Sequence, residues 1–334
     1  MPAHDLFSQT VATEDWRQEA THWIDEQLAA AGRRRTGDVV QRRIRPWSTQ
    51  LVAPSDHGTV WFKANCRSSA YEPAVHLALS ELEPGEVEAP LAIDADRGWM
   101  VTADRGTTLG DSHDATLVEW QEVVELAARV QRQVADHGTA LLAAGLPDCS
   151  PATVPARYAW LVDQLADLPA DHPSHLPSDE AASLRERSGV VDEAVRTLLA
   201  APLPASLQHG DLHPGNVFVV DGMMRFFDFG DAQWAHVLEV LAVPYGYSTR
   251  VTHHPWPALL DAYATVWEDL LDRAALEALM VPAMVTHAVN RSFTWLGAIE
   301  GAQPEELAEW GDSALYYLRL THEPFPPEDP ENGP

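Results

Sequence analysis

The stretch Leu207–Ala232, LQHGDLHPGNVFVVDGMMRFFDFGDA, constrains this chain more than any other. It carries Asp211, Asn216 five residues later, and Asp228 twelve residues after that. Between the last two, the mostly apolar runs Val217–Val220 and Met223–Phe227 flank Asp221-Gly222, a strong hairpin signal. Such a hairpin brings Asn216 at its start close to Asp228 at its end. Two side-chain oxygens held together suit Mg²⁺, a hard cation usually bound by one or two side chains plus phosphates and water. Asp211 is then left to face an acceptor hydroxyl, orienting it and accepting its proton late. Ser206–His209 reads as a short strand entering the site, Gly210 permits a turn at positive φ, and Pro214-Gly215 punctuate the loop. Asp and Asn are common at turns, but this ordered set has the spacing of a phosphoryl-transfer site.

These residues resemble the aminoglycoside phosphotransferase family, part of the protein-kinase-like superfamily that also includes choline, homoserine and fructosamine kinases. Its motif is HGD-x-x-x-x-N followed by D-[FW]-[GE], matched here by His209-Gly210-Asp211, Asn216 and Asp228-Phe229-Gly230. The resemblance implies that Asp211 is the catalytic Asp, that Asn216 and Asp228 are metal ligands, and that His209 buttresses the loop. It also implies an α+β, bilobal protein-kinase-like fold, with a small antiparallel-sheet N-lobe and a larger, mostly helical C-lobe. ATP and Mg²⁺ are the implied cofactors. Two departures from protein kinases point to a small-molecule acceptor. Gly210 stands where they have Arg, and Gly230 is followed almost at once by a helix expected over Gln233–Val243, with no APE motif and no long activation segment.

A kinase site needs a cation on the α/β-phosphates, usually a strand Lys paired to a Glu on the next helix. Lys63 is the only lysine among 22 basic residues. It lies in Thr59–Ala64, a β-branched and aromatic run after the turn 55–58, where the family's strand lysine belongs. Ammonium and guanidinium are not interchangeable at a phosphate, so a lone Lys here is informative. Its partner is expected to be Glu72, which opens a helix over Glu72–Leu82 with Pro73 at its first position. Glu81 and Glu83 are the alternatives, and a helix-dipole role for Glu72 is open.

No GxGxxG is present. Pro46-Trp47-Ser48-Thr49, between strands expected at Val39–Arg45 and Gln50–Ala53, is the candidate phosphate loop, with Ser48 and Thr49 as donors or as ordinary turn residues. After a hairpin over Ala92–Val101, Thr102 and Ala103 are the expected hinge that meets the adenine through backbone groups. For the acceptor, Asp231 would touch an amine or buttress the metal loop. Arg291 and Trp295, one helical turn apart, are either an acceptor platform or core.

Four segments are expected: an N-terminal helical segment at 1–34, with a helix over Asp15–Ala31; the N-lobe at 35–103; the C-lobe at 104–322; and a disordered tail at 323–334, too polar to pack. C-lobe helices are expected over Ala115–His137, Pro155–Asp167, Glu180–Leu199, Trp256–Asp272, Ala275–Ile299 and Pro304–Leu320 from apolar spacing, with a flexible connection over Leu168–Ser178. The net charge of −28 disfavours nucleic acid and anionic membranes as partners. It would steer a cationic acceptor, or simply keep the chain soluble. Cys66 and Cys149 form no metal spacing or disulfide framework, and no apolar run approaches membrane-spanning length, so a cytoplasmic setting is expected. The competing reading is a nucleotide-binding pseudokinase or regulatory module without transfer activity.

Overall fold

The computed structural model describes residues 6–83, 85–323 and 325. Helices α1 (Phe7–Val11) and α2 (Glu14–Ala30) lead into β1 (Val40–Ile44), β2 (Ser48–Ser55) and β3 (Gly58–Asn65). Helix α3 (Glu72–Leu82) follows, then β4 (Ala92–Asp94) and β5 (Trp99–Ala103). These strands form one antiparallel sheet in the order β1-β2-β3-β5-β4.

Side chains alternate across this sheet. Leu51, Phe62, Ala64 and Val101 face α2, where Phe62 meets Trp23 at 5.7 Å and Trp99 at 5.3 Å in edge-to-face contacts. The opposite face carries the cross-strand row Arg43–Gln50–Lys63–Met100. That face looks onto α3 and the C-terminal lobe.

The C-terminal lobe begins with α4 (Leu109–Ser112), α5 (Leu117–Val134), α6 (Gly138–Ala143), α7 (Val154–Ala166), α8 (Ser178–Glu186) and α9 (Gly189–Ala200). Thr116 and Glu119 cap α5 reciprocally, satisfying amides that have no partner within the helix. The short strands β6 (Ala205–Gln208), β7 (Val217–Val220), β8 (Met223–Phe226) and β9 (Gln233–His236) come next. The chain then runs through α10 (Ala242–Arg250), α11 (Trp256–Thr265), α12 (Arg273–Ala278), α13 (Met280–Ala298), α14 (Pro304–Trp310) and α15 (Ser313–Leu320). Strand β6 and the turn after β9 rest on a buried polar network. Gln131 Nε2 donates to the Leu207 and Val237 carbonyls, and its Oε1 accepts from Tyr263.

Several expected elements differ. Gln233–Val243 is not a helix: Gln233–His236 is strand β9, paired with β6, and a 3-10 turn and α10 come after it. Its four residues are all buried, so the tertiary ladder, not local preference, decides their conformation. The spans 180–199, 275–299 and 304–320 are each broken into two helices. Leu168–Ser178 is pinned: Ser174 is buried and donates to the Gly311 carbonyl, and the Leu176 amide bonds the Leu165 carbonyl at 3.0 Å. Ser174 and His175 reach the Gly311 and Leu168 carbonyls, and His172 accepts from the Ser174 amide. The tail expected at 323–334 lies almost wholly outside the described residues. Among the described residues, no helix is long and apolar enough to cross a membrane.

Candidate active site

Two small ladders build the site. Gln208 on β6 pairs with Gln233 on β9, and Val217 on β7 pairs with Phe226 on β8. Residues 209–216 and 227–232 are therefore facing loops, clamped at both ends. The β7–β8 turn, Asp221-Gly222, has positive φ at both positions, 52° and 77°, as a two-residue hairpin requires. Gly210 sits at φ 85°, and a Cβ there would lie 2.1 Å from the Asp231 carbonyl oxygen. The two loops touch because this residue has no side chain.

Within the clamp, Asn216 Nδ2 donates to the Asp211 carbonyl at 2.8 Å and to its carboxylate at 3.2 Å. That commitment leaves the amide oxygen as the atom available to a hard cation. His209 Nε2 contacts the Phe227 carbonyl at 3.0 Å, and its Nδ1 accepts from the Asp211 amide at 3.4 Å. One imidazole thus ties both loops together, and burial holds it neutral by lowering its pKa. Burial works to raise the Asp211 pKa, but His213, 3.4 Å away, and Arg291 outweigh it, so the carboxylate stays ionised.

Asp228 lies at φ 65°, a left-handed position that costs a non-glycine residue energy and persists only where surroundings enforce it. Lys63 Nζ is 2.6 Å from Asp228 and 2.6 Å from Glu72. Glu72, not Glu81 or Glu83, is therefore the helix partner. Burial pushes the Glu72 carboxyl up, against the pull of Lys63. Asp228 goes the other way: burial opposes its charge, but Lys63 and Arg43 hold its carboxyl well below the usual range.

Two clefts meet at this point. The smaller, about 360 Å³, is lined by Met100, Thr102, Ala103, Arg105, Asn216 and Phe227, among others. The larger, about 1060 Å³, is lined by Asp211, Asp231, Arg291 and Trp295 together with Trp47 and Phe293. Arg43, Lys63 and Asp228 line both.

Three expected placements change. Ser48 and Thr49 are not loop residues: both lie in β2, both are buried, and neither is among the residues lining the two clefts. Thr49 Oγ1 donates to the Arg43 carbonyl and accepts from Gln41, while Ser48 Oγ accepts from Arg43. Their hydroxyls complete the sheet edge. Thr102 and Ala103 do line the smaller cleft but remain in β5, paired with Trp61 and Val60, so the link between lobes begins at Asp104. Asp231 and Arg291 form an ion pair at 2.8 Å. Burial works against the Arg291 charge, and Asp231, Tyr317 and Asp211 more than offset it. Arg291 also lies over the Trp295 ring, and Trp295 packs edge-on against Trp47 at 5.6 Å.

Sequence reasoning missed several residues at the site. Tyr71 donates to the Gly230 and Ala232 carbonyls, anchoring the loop after Asp228. His76, one turn after Glu72, meets Phe229 at 5.4 Å, and Phe229 meets His209 at 5.1 Å. This row connects α3 to the loop 209–216. The i, i+4 spacing of Glu72 and His76 is a legible signal for a shared face. Arg43 and Trp47 had none, because a strand irregularity and a cross-lobe contact place them.

The fold is shared with solved kinase-like enzymes. A macrolide 2'-phosphotransferase from Brachybacterium faecium superposes with a TM-score of 0.55 at 17% identity, covering 93% of this chain and 99% of that one. A choline/ethanolamine kinase family protein from Mesorhizobium loti gives 0.56 at 15%, covering 91% and 95%. A spectinomycin phosphotransferase in complex with ADP and spectinomycin gives 0.51 at 14%, covering 92% and 95%. No curated protein matches the chain at the level of sequence. The model of the phosphotransferase enzyme family matches residues 66–279. The chain belongs to that family, and it is an enzyme of the small-molecule kinase class.

Proposed function

We infer that the protein transfers the γ-phosphoryl group of MgATP to a hydroxyl of a small molecule. The observation that carries this reading is the meeting of two clefts at Lys63, Arg43 and Asp228, with Asp211 on the larger and Asn216 on the smaller. ATP would occupy the smaller cleft, its base near Thr102 and Ala103 and its α/β-phosphates at Lys63. Glu72 holds that ammonium in place. Asn216 and Asp228 offer oxygen donors, which fit Mg²⁺. Mg²⁺ is usually held by one or two side chains, so phosphates and water would complete the shell. The bound ion would neutralise phosphate charge.

Asp211 faces the larger cleft and is ionised, so it orients the acceptor hydroxyl and takes its proton as the bond to phosphorus forms. The cleft exceeds the needs of a simple amino alcohol and has aromatic walls. A ring-bearing acceptor, such as an aminoglycoside-like antibiotic or a sugar derivative, suits it better. The Asp231 carboxylate is already met by Arg291, so an acceptor amine is no requirement there. The cytoplasm is the compartment where such a reaction has its ATP.

Mass spectrometry of a pooled panel of antibiotics, sugars and amino alcohols incubated with MgATP tests this. We expect one acceptor class to gain a single phosphoryl group, with stoichiometric ADP. Failure to bind Mg-nucleotide at all would contradict the reading.

A further inference from the structure

Arg43 stands where an ordinary strand would not put it. Along the β1–β2 ladder, Gln41 pairs with Leu51, but Arg43 pairs with Gln50, and the register shifts between them. Arg42 is the extra residue, exposed to solvent. A bulge of this kind re-aims the side chains that follow it, because a one-residue slip exchanges the faces of a strand. Without it, Arg43 would oppose Thr49, whose partner Ala64 shares the face packed on α2. With it, Arg43 joins Gln50 and Lys63 on the face that looks into the clefts.

Its surroundings suit a phosphate ligand. Arg43 Nε is buried without a hydrogen-bond partner. One terminal nitrogen is steadied by a long bond, 3.3 Å, to Ser48 Oγ. Arg43 lines both clefts together with Lys63 and Asp228. The group that must occupy such a junction, on the function inferred above, is the phosphoryl in transit. A guanidinium presents a planar fork that matches phosphate oxygens. The chain lacks a glycine-rich loop to cover that phosphate.

We propose that Arg43, aimed by the bulge at Arg42, binds the γ-phosphoryl group as it passes between the nucleotide and acceptor clefts. It is thus a second cation beside Lys63, supplied by β1 in place of a glycine-rich loop. Lys63, paired with Glu72, serves the phosphates that stay with the nucleotide.

Calorimetric titration with ADP and with a non-hydrolysable ATP analogue, both with Mg²⁺, tests the assignment on the full-length protein. Arg43→Gln should weaken the analogue by about 10–100-fold, the size expected for a hydrogen bond to a charged group, and ADP far less. Arg43→Lys keeps the charge but not the fork, and should fall between Arg43→Gln and the wild type. Arg196→Gln, at an exposed arginine of α9, should bind both nucleotides as the wild type does. Equal weakening of both nucleotides by Arg43→Gln, or no weakening of either, would overturn the assignment while leaving the phosphotransferase reading intact. A wild-type protein that binds neither nucleotide would overturn both.

Discussion

At the scale of single residues, the site depends on charges that cannot be removed separately. Lys63 bridges Glu72 and Asp228 at 2.6 Å each, and Glu72 is fully buried. Breaking one side of a buried ion pair leaves an uncompensated charge and costs roughly 3–5 kcal/mol. Asp228 still holds the ammonium, so Glu72→Ala should fall near the low end, about 3 kcal/mol, read by urea denaturation. It should also raise the KM for ATP, because the Lys63 ammonium would lose one of the two carboxylates that fix its position. An unchanged KM would separate Glu72 from nucleotide binding. Part of this was legible in the sequence: type and spacing single out Asp211, Asn216, Asp228 and the lone Lys63, and the fold brings Lys63 onto Asp228 and Asn216 onto Asp211. Arg43 was not, since its role depends on a bulge that no residue preference announces. Ser48 and Thr49 were misplaced for another reason: the turn is tighter than its composition suggests, and both residues belong to the strand.

At the scale of elements, the loops 209–216 and 227–232 are held by β6, β9 and α13. Glu239, in the turn after β9, is fully buried and accepts hydrogen bonds from Thr286 and Asn290 on α13. Burial pushes its carboxyl up to about 7, against the pull of Asn290 and Thr286. A carboxyl with a raised folded-state pKa binds more protons folded than unfolded, so its contribution is full below about 4.5 and is lost as pH rises to about 7. Glu239→Gln keeps both hydrogen bonds if its amide nitrogen donates to Thr286. The difference between wild-type and variant stability should therefore shift by about 3 kcal/mol across that window, with the variant gaining as pH rises. A difference that does not change with pH would contradict the placement of a protonated carboxyl there. Helices such as Glu72–Leu82 were legible with correct ends because Pro73 and the apolar spacing agree. Strand β9 was not, because its four buried residues read equally well as helix and only pairing with β6 decides.

Across the whole molecule, the lobes touch on both sides of the active site. Behind it, the chain passes through Asp104–Gly106. In front, Trp47 packs on Trp295 and on Trp310 at 5.1 Å, Arg45 lies over Trp310, and Ser8 donates to Glu306 at 2.6 Å. Aromatic pairs of this kind contribute about 0.5–1.5 kcal/mol each beyond the area they bury. Trp47→Ala should loosen the front and raise the KM for the acceptor more than the KM for ATP; equal changes in both would argue against a wall specific to the larger cleft. The central claim is that one ionised carboxylate, at the junction of two clefts, activates the acceptor. The most direct test compares Asp211→Asn with the wild type in acceptor phosphorylation and in MgADP binding on the same preparation. Transfer should fall by about 10²–10⁴-fold, the usual contribution of a positioned base, with MgADP affinity retained. A variant that transfers phosphate at the wild-type rate would contradict the account.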